Sequence, residues 1–158
     1  MVDFLVLCNQ NVVHYKDYWP YIKDDKIRFS SRYSNPGFFI TQHKTRKPSQ
    51  IKMIEGVEYV GVMGVRWLTS LKTETPGPLE LVDYKEDKYK WYDNYPAINV
   101  DSIREVPDYD DVMGVPENFI DVWCREQFDI VGMLKEQPPV IDGKLKWTRI
   151  LIKKKLQK

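Results

Sequence analysis

The residue types that most often carry chemistry are few and scattered in this chain. Its two histidines are His14 and His43, and its two cysteines are Cys8 and Cys124. Their spacing is not that of zinc ligands, and no cysteine stands in a pattern that predicts a catalytic nucleophile. Both cysteines lie among apolar residues, which predicts buried thiols rather than a disulfide. We therefore predict no metal site and no catalytic residue from these side chains.

A cluster of carboxylates surrounds Tyr109, formed by Asp108, Asp110 and Asp111. Such a group can hold a divalent cation. An acidic turn before an apolar segment is the commoner arrangement, so we predict a solvated turn and keep a cation site as the alternative.

The tetrapeptide VMGV occurs twice, at residues 62–65 and 112–115. A strand-like stretch follows the first copy and a helix-starting PENFID follows the second, whereas repeat proteins need at least about three similar units. Neither copy has the lysine and hydroxyl of a phosphate-binding loop. We interpret both copies as small, flexible apolar turns.

Basic residues gather at residues 43–52 and 144–158, on either side of an acid-rich middle, although the net charge is only +1. Either basic stretch could follow a phosphate backbone, or could simply keep the protein in solution. Arg66-Trp67 and Lys146-Trp147 place an aromatic ring beside a cation, as base stacking next to a phosphate requires. Trp91, in a polar stretch, is predicted to be exposed, and Trp67 to form a pocket wall.

The length of 158 residues with 42% apolar content suits one core, so we predict a single domain over residues 1–158. No apolar run reaches the roughly 20 residues that cross a bilayer, and the N-terminus does not resemble a signal peptide. We predict a cytoplasmic protein without membrane contact.

Periodicity predicts a mixed α/β fold. Residues 3–8 form a nearly continuous apolar run that is typical of a strand buried on both faces. Residues 14–25 have helical spacing, with Pro20 expected to end or kink the helix. Further predicted elements are strands at 27–31, 37–41, 57–71, 79–84 and 127–133, a loop at 85–95, a helix after Pro116 and a hairpin around Asp142-Gly143.

Residues 92–132, YDNYPAINVDSIREVPDYDDVMGVPENFIDVWCREQFDIVG, resemble the C-terminal signature of the EcoRI-type adenine-specific DNA methyltransferases. That family follows an acidic-aromatic segment with a Tyr-Asp pair, a GVP turn, an apolar helix and a QFEIVG-like strand. The similarity extends to the first strand and helix and to VRWLTSL and KLKWTRILIKKK, so it covers most of the chain. Departures from the family pattern are Cys8, Val12, Leu68 and Ser70.

The resemblance implies the later strands of a Rossmann-like methyltransferase mixed sheet, with an added β-rich DNA-recognition region. It also implies methylation of an adenine amino group with S-adenosyl-L-methionine in the full-length family. The family's glycine-bearing cofactor turn and Asn-Pro-Pro-Phe loop precede the strand that residues 3–8 resemble. Two partial matches, SNPGF (34–38) and QPPV (137–140), lack the full loop pattern and the right position. We therefore expect no methyl transfer, and no bound cofactor, for this chain alone.

The resemblance further implies which residues meet ligands. Asn9, Asn11, Trp67 and Thr69 would lie near the cofactor or target-base pocket, and Lys44, Arg46 and Lys47 would contact phosphates. Expected partners are double-stranded DNA and a separate chain that supplies the N-terminal catalytic half. The alternatives are a non-catalytic DNA-binding or protein-interaction module and a folded remnant without activity.

Overall fold

The computed structural model describes residues 2–30, 37–39, 51–61 and 64–155. The chain divides into two compact units, Met1–Thr73 (unit 1) and Glu74–Lys158 (unit 2). Each unit has its own buried residues, so we describe each separately, and the single domain over residues 1–158 stays a prediction. Within the described ranges, no helix is both long and apolar enough to cross a membrane.

Unit 1 contains two small antiparallel sheets and two short helices. Its elements are β1 (Leu5–Asn9), a 3-10 helix (Gln10–His14), α1 (Trp19–Lys23), β2 (Arg28–Phe29), β3 (Gly37–Phe39), β4 (Ile51–Ile54), β5 (Val57–Gly61) and β6 (Val65–Thr69). One sheet has the strand order β1-β6-β2 and the other has the order β3-β5-β4. The predicted long strand over residues 57–71 is therefore two strands, β5 and β6, which belong to different sheets.

The helix predicted over residues 14–25 is shorter in the structure. Pro20 lies in the first turn of α1. Proline fits there because the first N–H groups of a helix have no helical acceptor, and its fixed φ suits the helical conformation. Pro20 therefore begins this helix and does not end it, which corrects the prediction from the sequence.

Strand β1 is the edge of its sheet, and its apolar side chains are exposed. Leu5, Val6 and Leu7 are 54%, 44% and 40% exposed. The strand pairs with β6 on one side only, and the register places Leu5 and Leu7 on one face and Val6 on the other. The prediction of a strand buried on both faces is wrong for unit 1, because β6 is its one neighbour among the described strands.

Unit 2 is built on a four-stranded sheet with the order β7-β8-β12-β9. Its elements are β7 (Ile98–Asn99), a 3-10 helix (Ile103–Glu105), β8 (Met113–Val115), a 3-10 helix (Glu117–Asp121), β9 (Phe128–Leu134), β10 (Val140–Ile141), β11 (Lys144–Leu145) and β12 (Arg149–Lys154). Strands β7 and β8 are parallel, while β12 is antiparallel to β8 and to β9. Residues 79–84, predicted as a strand, contribute only the bridge from Val82 to Pro107.

The core of unit 2 lies on this sheet. Met113, Val115, Ile150 and Ile152 are fully buried on its two central strands. Phe119 and Phe128 meet edge to face at 5.8 Å between ring centroids, which packs the second 3-10 helix against β9. The helix predicted after Pro116 is thus present as a 3-10 helix that Pro116 caps.

The second VMGV copy forms strand β8, which corrects its interpretation as a flexible turn. Met113 and Val115 are 0% exposed, and Gly114 lies opposite Leu151 of β12. A Cβ atom at Gly114 would be 2.1 Å from the Tyr92 hydroxyl oxygen. Glycine at position 114 therefore allows the buried Tyr92 side chain to pack directly against the backbone of β8.

The mixed α/β class is confirmed in its coarse form, since the described residues form several sheets, mostly of antiparallel strands, with short helices. The hairpin β10-β11 turns as predicted at Asp142 and Gly143, whose φ angles of 51° and 71° suit a two-residue hairpin turn. Strand β9 is also present as predicted.

Candidate functional site

The four residues predicted to face a cofactor or a target base form a group at β1 and β6, here called the strand-end group: Asn9, Asn11, Trp67 and Thr69. Asn9 lies opposite Val65, and Trp67 lies opposite Leu7. Asn9 and Trp67 therefore share one face as diagonal neighbours. Asn11 follows in the first 3-10 helix and is exposed.

Two members of the strand-end group have structural contacts. The Asn9 side-chain oxygen accepts a hydrogen bond from the Asn11 backbone N–H at 2.9 Å and so caps the 3-10 helix. The buried Thr69 hydroxyl donates to the Phe4 carbonyl at 2.6 Å and accepts from the Leu71 N–H at 3.0 Å. Asn9, Asn11 and Trp67 are exposed to solvent, Trp67 to 36%, whereas Thr69 is buried.

The predicted phosphate contacts Lys44, Arg46 and Lys47 lie outside the described residues. The same holds for most of SNPGF (34–38) and for the first two residues of the first VMGV copy.

The acidic stretch around Tyr109 forms ion pairs with two lysines of β12. Lys154 contacts Asp108 and lies 2.7 Å from Asp110, and Lys153 lies 3.5 Å from Asp111. The next lysine, Lys155, pairs with Asp129 of β9 at 3.1 Å. Across the part of the chain that the structure describes, no cluster of acidic, histidine or cysteine side chains could hold a metal ion. The carboxylates of the acidic stretch are therefore exposed ion-pair partners of β12.

The two cysteines are both free thiols. Cys124 is buried and Cys8 is partly buried. Burial raises the pKa of the Cys8 thiol, while the Arg66 cation opposes that change. A raised pKa lowers the thiolate fraction, so Cys8 is a poor nucleophile.

A basic cleft in unit 2, here called the lysine cleft, has a volume of about 430 Å³. Its lining residues are Lys88, Lys90, Asn99, Asp101, Ile141, Asp142, Lys144, Leu145 and Lys146. Lys88 forms an ion pair with Glu105 at 3.2 Å, and Lys90 forms one with Asp142. This contact with Lys90 holds the pKa of the Asp142 carboxyl below its ordinary value.

Exposed apolar side chains lie in and just after β11, the strand that borders the cleft. Leu145 is 72% exposed and Trp147 is 86% exposed. Trp91, next to Lys90, is 50% exposed, which confirms the prediction of an exposed ring. Both tryptophans are therefore direct chain neighbours of lysines that line the cleft, although neither ring is part of its lining.

Hydrogen bonds hold the β10-β11 hairpin to the segment that carries Lys90 and Trp91. The Gly143 N–H donates to an Asp93 carboxylate oxygen at 2.8 Å, and the Val140 N–H donates to the Asn94 side-chain oxygen at 3.0 Å. The Asp93 N–H donates back to the Val140 carbonyl at 2.8 Å. Both walls of the cleft are thus fixed relative to each other within unit 2.

A buried polar network lies beneath the cleft. The Tyr92 hydroxyl donates to the Asn99 side-chain oxygen at 2.9 Å, and Arg149 Nε donates to the same oxygen at 3.2 Å. Asn99 Nδ2 and Arg149 Nη2 both donate to an Asp101 carboxylate oxygen, at 2.9 and 3.3 Å. Arg149 is only 8% exposed, so its charge depends on these partners.

Burial raises the pKa of the Tyr92 phenol, against the opposing effect of the Arg149 cation. Because the folded state holds this proton more tightly than an unfolded tyrosine with a pKa of about 10, stability is complete below that pH and falls as pH rises above it. We expect Tyr92→Phe to make the alkaline loss of stability shallower. Urea midpoints measured at increasing pH check this, and equal slopes for both proteins would contradict it.

Comparison with known protein families gives a match over residues 2–153, to the family described as adenine-specific methyltransferase EcoRI. The chain belongs to this family. The match covers elements of both units, from β1 to most of β12. The family resemblance inferred from residues 92–132 is therefore confirmed.

Relatives of this EcoRI-type family member are Type II methyltransferases. M.EcoRI of Escherichia coli is 34% identical over 167 residues, which cover 98% of this chain and 51% of the relative. M.MpnI of Mycoplasma pneumoniae is 26% identical, covering 89% of this chain and 47% of the relative. M.MgeORF184P of Mycoplasma genitalium is 27% identical, covering 96% and 57%. The chain spans about half the length of these relatives, and no solved structure matches it.

In this member of the EcoRI-type family, the four lysines of the lysine cleft differ in how visible they are in the sequence. Lys146-Trp147 carries a visible signal, a cation beside an aromatic ring, within the basic tail. Lys88 and Lys90 lie in an acid-rich stretch that gives no such signal. Only the pairing of residues 93–94 with the hairpin brings these lysines beside Lys144 and Lys146.

Proposed function

We propose that this chain forms the C-terminal portion of a site-specific DNA adenine methyltransferase, in which the assembled enzyme transfers a methyl group from S-adenosyl-L-methionine to an adenine amino group. The family match over residues 2–153, together with coverage of about half of each relative, is the observation that carries this proposal. The two units would act together as one part of that enzyme, in the cytoplasm where its DNA substrate lies.

The strand-end group fits only part of the cofactor. The exposed Asn11 carboxamide and Trp67 ring suit contact with an adenine ring, either that of the target base or that of the cofactor's adenosine. Asn9 and Thr69 would hold this surface in place through their backbone hydrogen bonds. None of the four side chains carries a charge that could pair with the methionine end of the cofactor, so the other half of the enzyme must supply those contacts.

The apolar edge of β1 supports a further strand from that other half. Leu5, Val6 and Leu7 are exposed on both faces of an edge strand, and such an edge is stabilised when another strand pairs with it. We place the continuation of the Rossmann-like sheet there. The added strand belongs to the N-terminal catalytic half, whether joined to this chain or separate from it.

Double-stranded DNA is the proposed substrate. Lys44, Arg46 and Lys47 remain proposed phosphate contacts on the strength of the sequence. The contribution of these residues to DNA affinity would fall as the salt concentration rises, because contacts with phosphates release counterions from the DNA.

We propose that residues 1–158 by themselves transfer no methyl group, since none of them resembles the family's cofactor turn or its full Asn-Pro-Pro-Phe loop. We expect co-expression with the N-terminal half of a family enzyme to restore transfer of a labelled methyl group to DNA. An N-terminal half with its catalytic asparagine or aspartate replaced is the matched control. Transfer by the pure chain, or none by any combination of halves that forms a stable complex, would contradict the proposal.

A second candidate is a non-catalytic DNA-binding or protein-interaction module, which the exposed tryptophans and lysines of unit 2 favour. The co-expression experiment separates the two candidates, because such a module would bind DNA or a protein partner without restoring methyl transfer in any assembly.

A further inference from the structure

We propose that the lysine cleft of unit 2 binds the phosphate backbone of duplex DNA, with Trp147 in apolar contact with the sugars and bases beside those phosphates. This inference rests on the proposed function, because it takes DNA as the substrate. It assigns DNA contacts to Lys88, Lys90, Lys144 and Lys146.

The charge of the cleft favours an anion. Four lysines line it against two carboxylates, Asp101 and Asp142. Among the described residues, no carboxylate forms an ion pair with Lys144 or Lys146. Lys88 and Lys90 have exposed ion-pair partners, and exposed pairs contribute little, so a phosphate can replace them at small cost.

The aromatic surface distinguishes a nucleic acid from a small anion. Trp147 is 86% exposed and directly follows Lys146. A free phosphate ion has no apolar surface that could pack against an indole ring. In a nucleic acid, the sugars and bases next to each phosphate can pack against such a ring. Leu145, which lines the cleft, is also exposed, and the exposed Trp91 directly follows the lining residue Lys90 along the chain.

The cleft is also held in place before any ligand binds. Its hairpin wall is bonded to Asp93 and Asn94, and its floor rests on the network of Asn99, Asp101 and Arg149. A fixed arrangement of this kind loses less conformational entropy on binding than a flexible lysine-rich tail.

The same end of the chain offers a matched control. Lys153 and Lys155 lie in or just after β12, and each pairs with a carboxylate of unit 2. The double variants Lys144→Gln/Lys146→Gln and Lys153→Gln/Lys155→Gln remove equal charge from neighbouring positions. They differ in whether the lysines face the cleft.

The experiment measures binding of a fluorescein-labelled DNA duplex to the full chain by anisotropy, between about 50 and 200 mM NaCl. We expect the cleft double variant to bind about tenfold more weakly at the lower salt and its salt slope to fall by about two, one for each lost phosphate contact. The control double variant should keep a slope close to that of the wild type. Trp147→Ala should weaken binding without changing the slope, because it removes no charge.

Equal losses in the two double variants would overturn the inference, and so would no binding by the wild-type chain at low salt. Circular dichroism of each variant shows whether unit 2 remains folded, and Trp147→Ala, at an exposed side chain, still tests the cleft if a lysine variant unfolds. Methyl transfer by the assembled halves tests the proposed function separately. If the assembly carrying the cleft variant methylates DNA with an unchanged KM for DNA, the cleft assignment fails while the proposed function stands.

Discussion

Gly114→Ala is expected to destabilise unit 2 by about 3 kcal/mol, because the added methyl group overpacks a buried site. The new Cβ atom would lie 2.1 Å from the Tyr92 hydroxyl oxygen and 2.7 Å from a ring carbon. Tyr92 is buried and hydrogen-bonded to Asn99, so its ring cannot move aside without breaking that bond. Hydrogen exchange of unit 2 peptides, measured by mass spectrometry, reports this loss separately from any change in unit 1.

Gly132→Ala is the matched control for this substitution. Gly132 lies in β9 of the same sheet, and a Cβ atom there would meet Leu151 at an ordinary 3.5 Å. Its expected cost is below about 1 kcal/mol, since the added methyl group makes only an ordinary van der Waals contact at a partly buried position. If both alanine variants exchange equally fast, the contact with Tyr92 is not the reason that position 114 holds glycine.

Asn99→Ala is expected to cost unit 2 about 3 kcal/mol, because it removes the oxygen that two buried donors share and leaves the Tyr92 hydroxyl only the Gly114 carbonyl at 3.3 Å. Those donors are the Tyr92 hydroxyl and Arg149 Nε, which share the Asn99 side-chain oxygen. The variant also removes one of the two donors that hold Asp101. Chemical unfolding followed by the same exchange measurement gives the change in the free energy of unfolding.

Asn94→Ala controls for the loss of an asparagine that makes two hydrogen bonds. Asn94 donates to the Pro138 carbonyl and accepts from the Val140 N–H, but both bonds are exposed to water. Water replaces the lost partner there, so the expected cost is about 1 kcal/mol. If Asn94→Ala lowers the free energy of unfolding as much as Asn99→Ala does, burial is not the reason that the hydrogen bonds of Asn99 contribute to stability.

Local signals in the sequence predicted the local elements. Asp-Gly between two β-type runs specified the β10-β11 hairpin, because both residues adopt positive φ there. Pro116 before an apolar run specified a helical turn. In each case neighbouring residues decide the conformation.

Elements that depend on distant partners were predicted poorly. Residues 113–115 become a strand because they pair with residues 150–152 of β12, which lie far along the chain. Nothing in VMGV itself favours that outcome over a turn. Pro20 illustrates a different difficulty, since a proline in a helical pattern is compatible with either a helix end or a helix start.

The candidate site also contains a part that the sequence predicted and a part that depends on contacts between distant residues. The register of β1 and β6 places Asn9 and Trp67 on one face, as the family resemblance implies for residues near one pocket. The lysine cleft was missed because residues 88–101 and 141–146 meet only through the hairpin contacts. Charge counted along the sequence places two of its lysines in an acidic region and so hides them.

The exposed edge of β1 also bears on how the protein behaves before it is assembled. Unpaired N–H and C=O groups flanked by Leu5, Val6 and Leu7 are a template for cross-strand pairing between identical chains. A strand that paired with β1, as proposed above, would cover these groups and so also remove a starting point for aggregation.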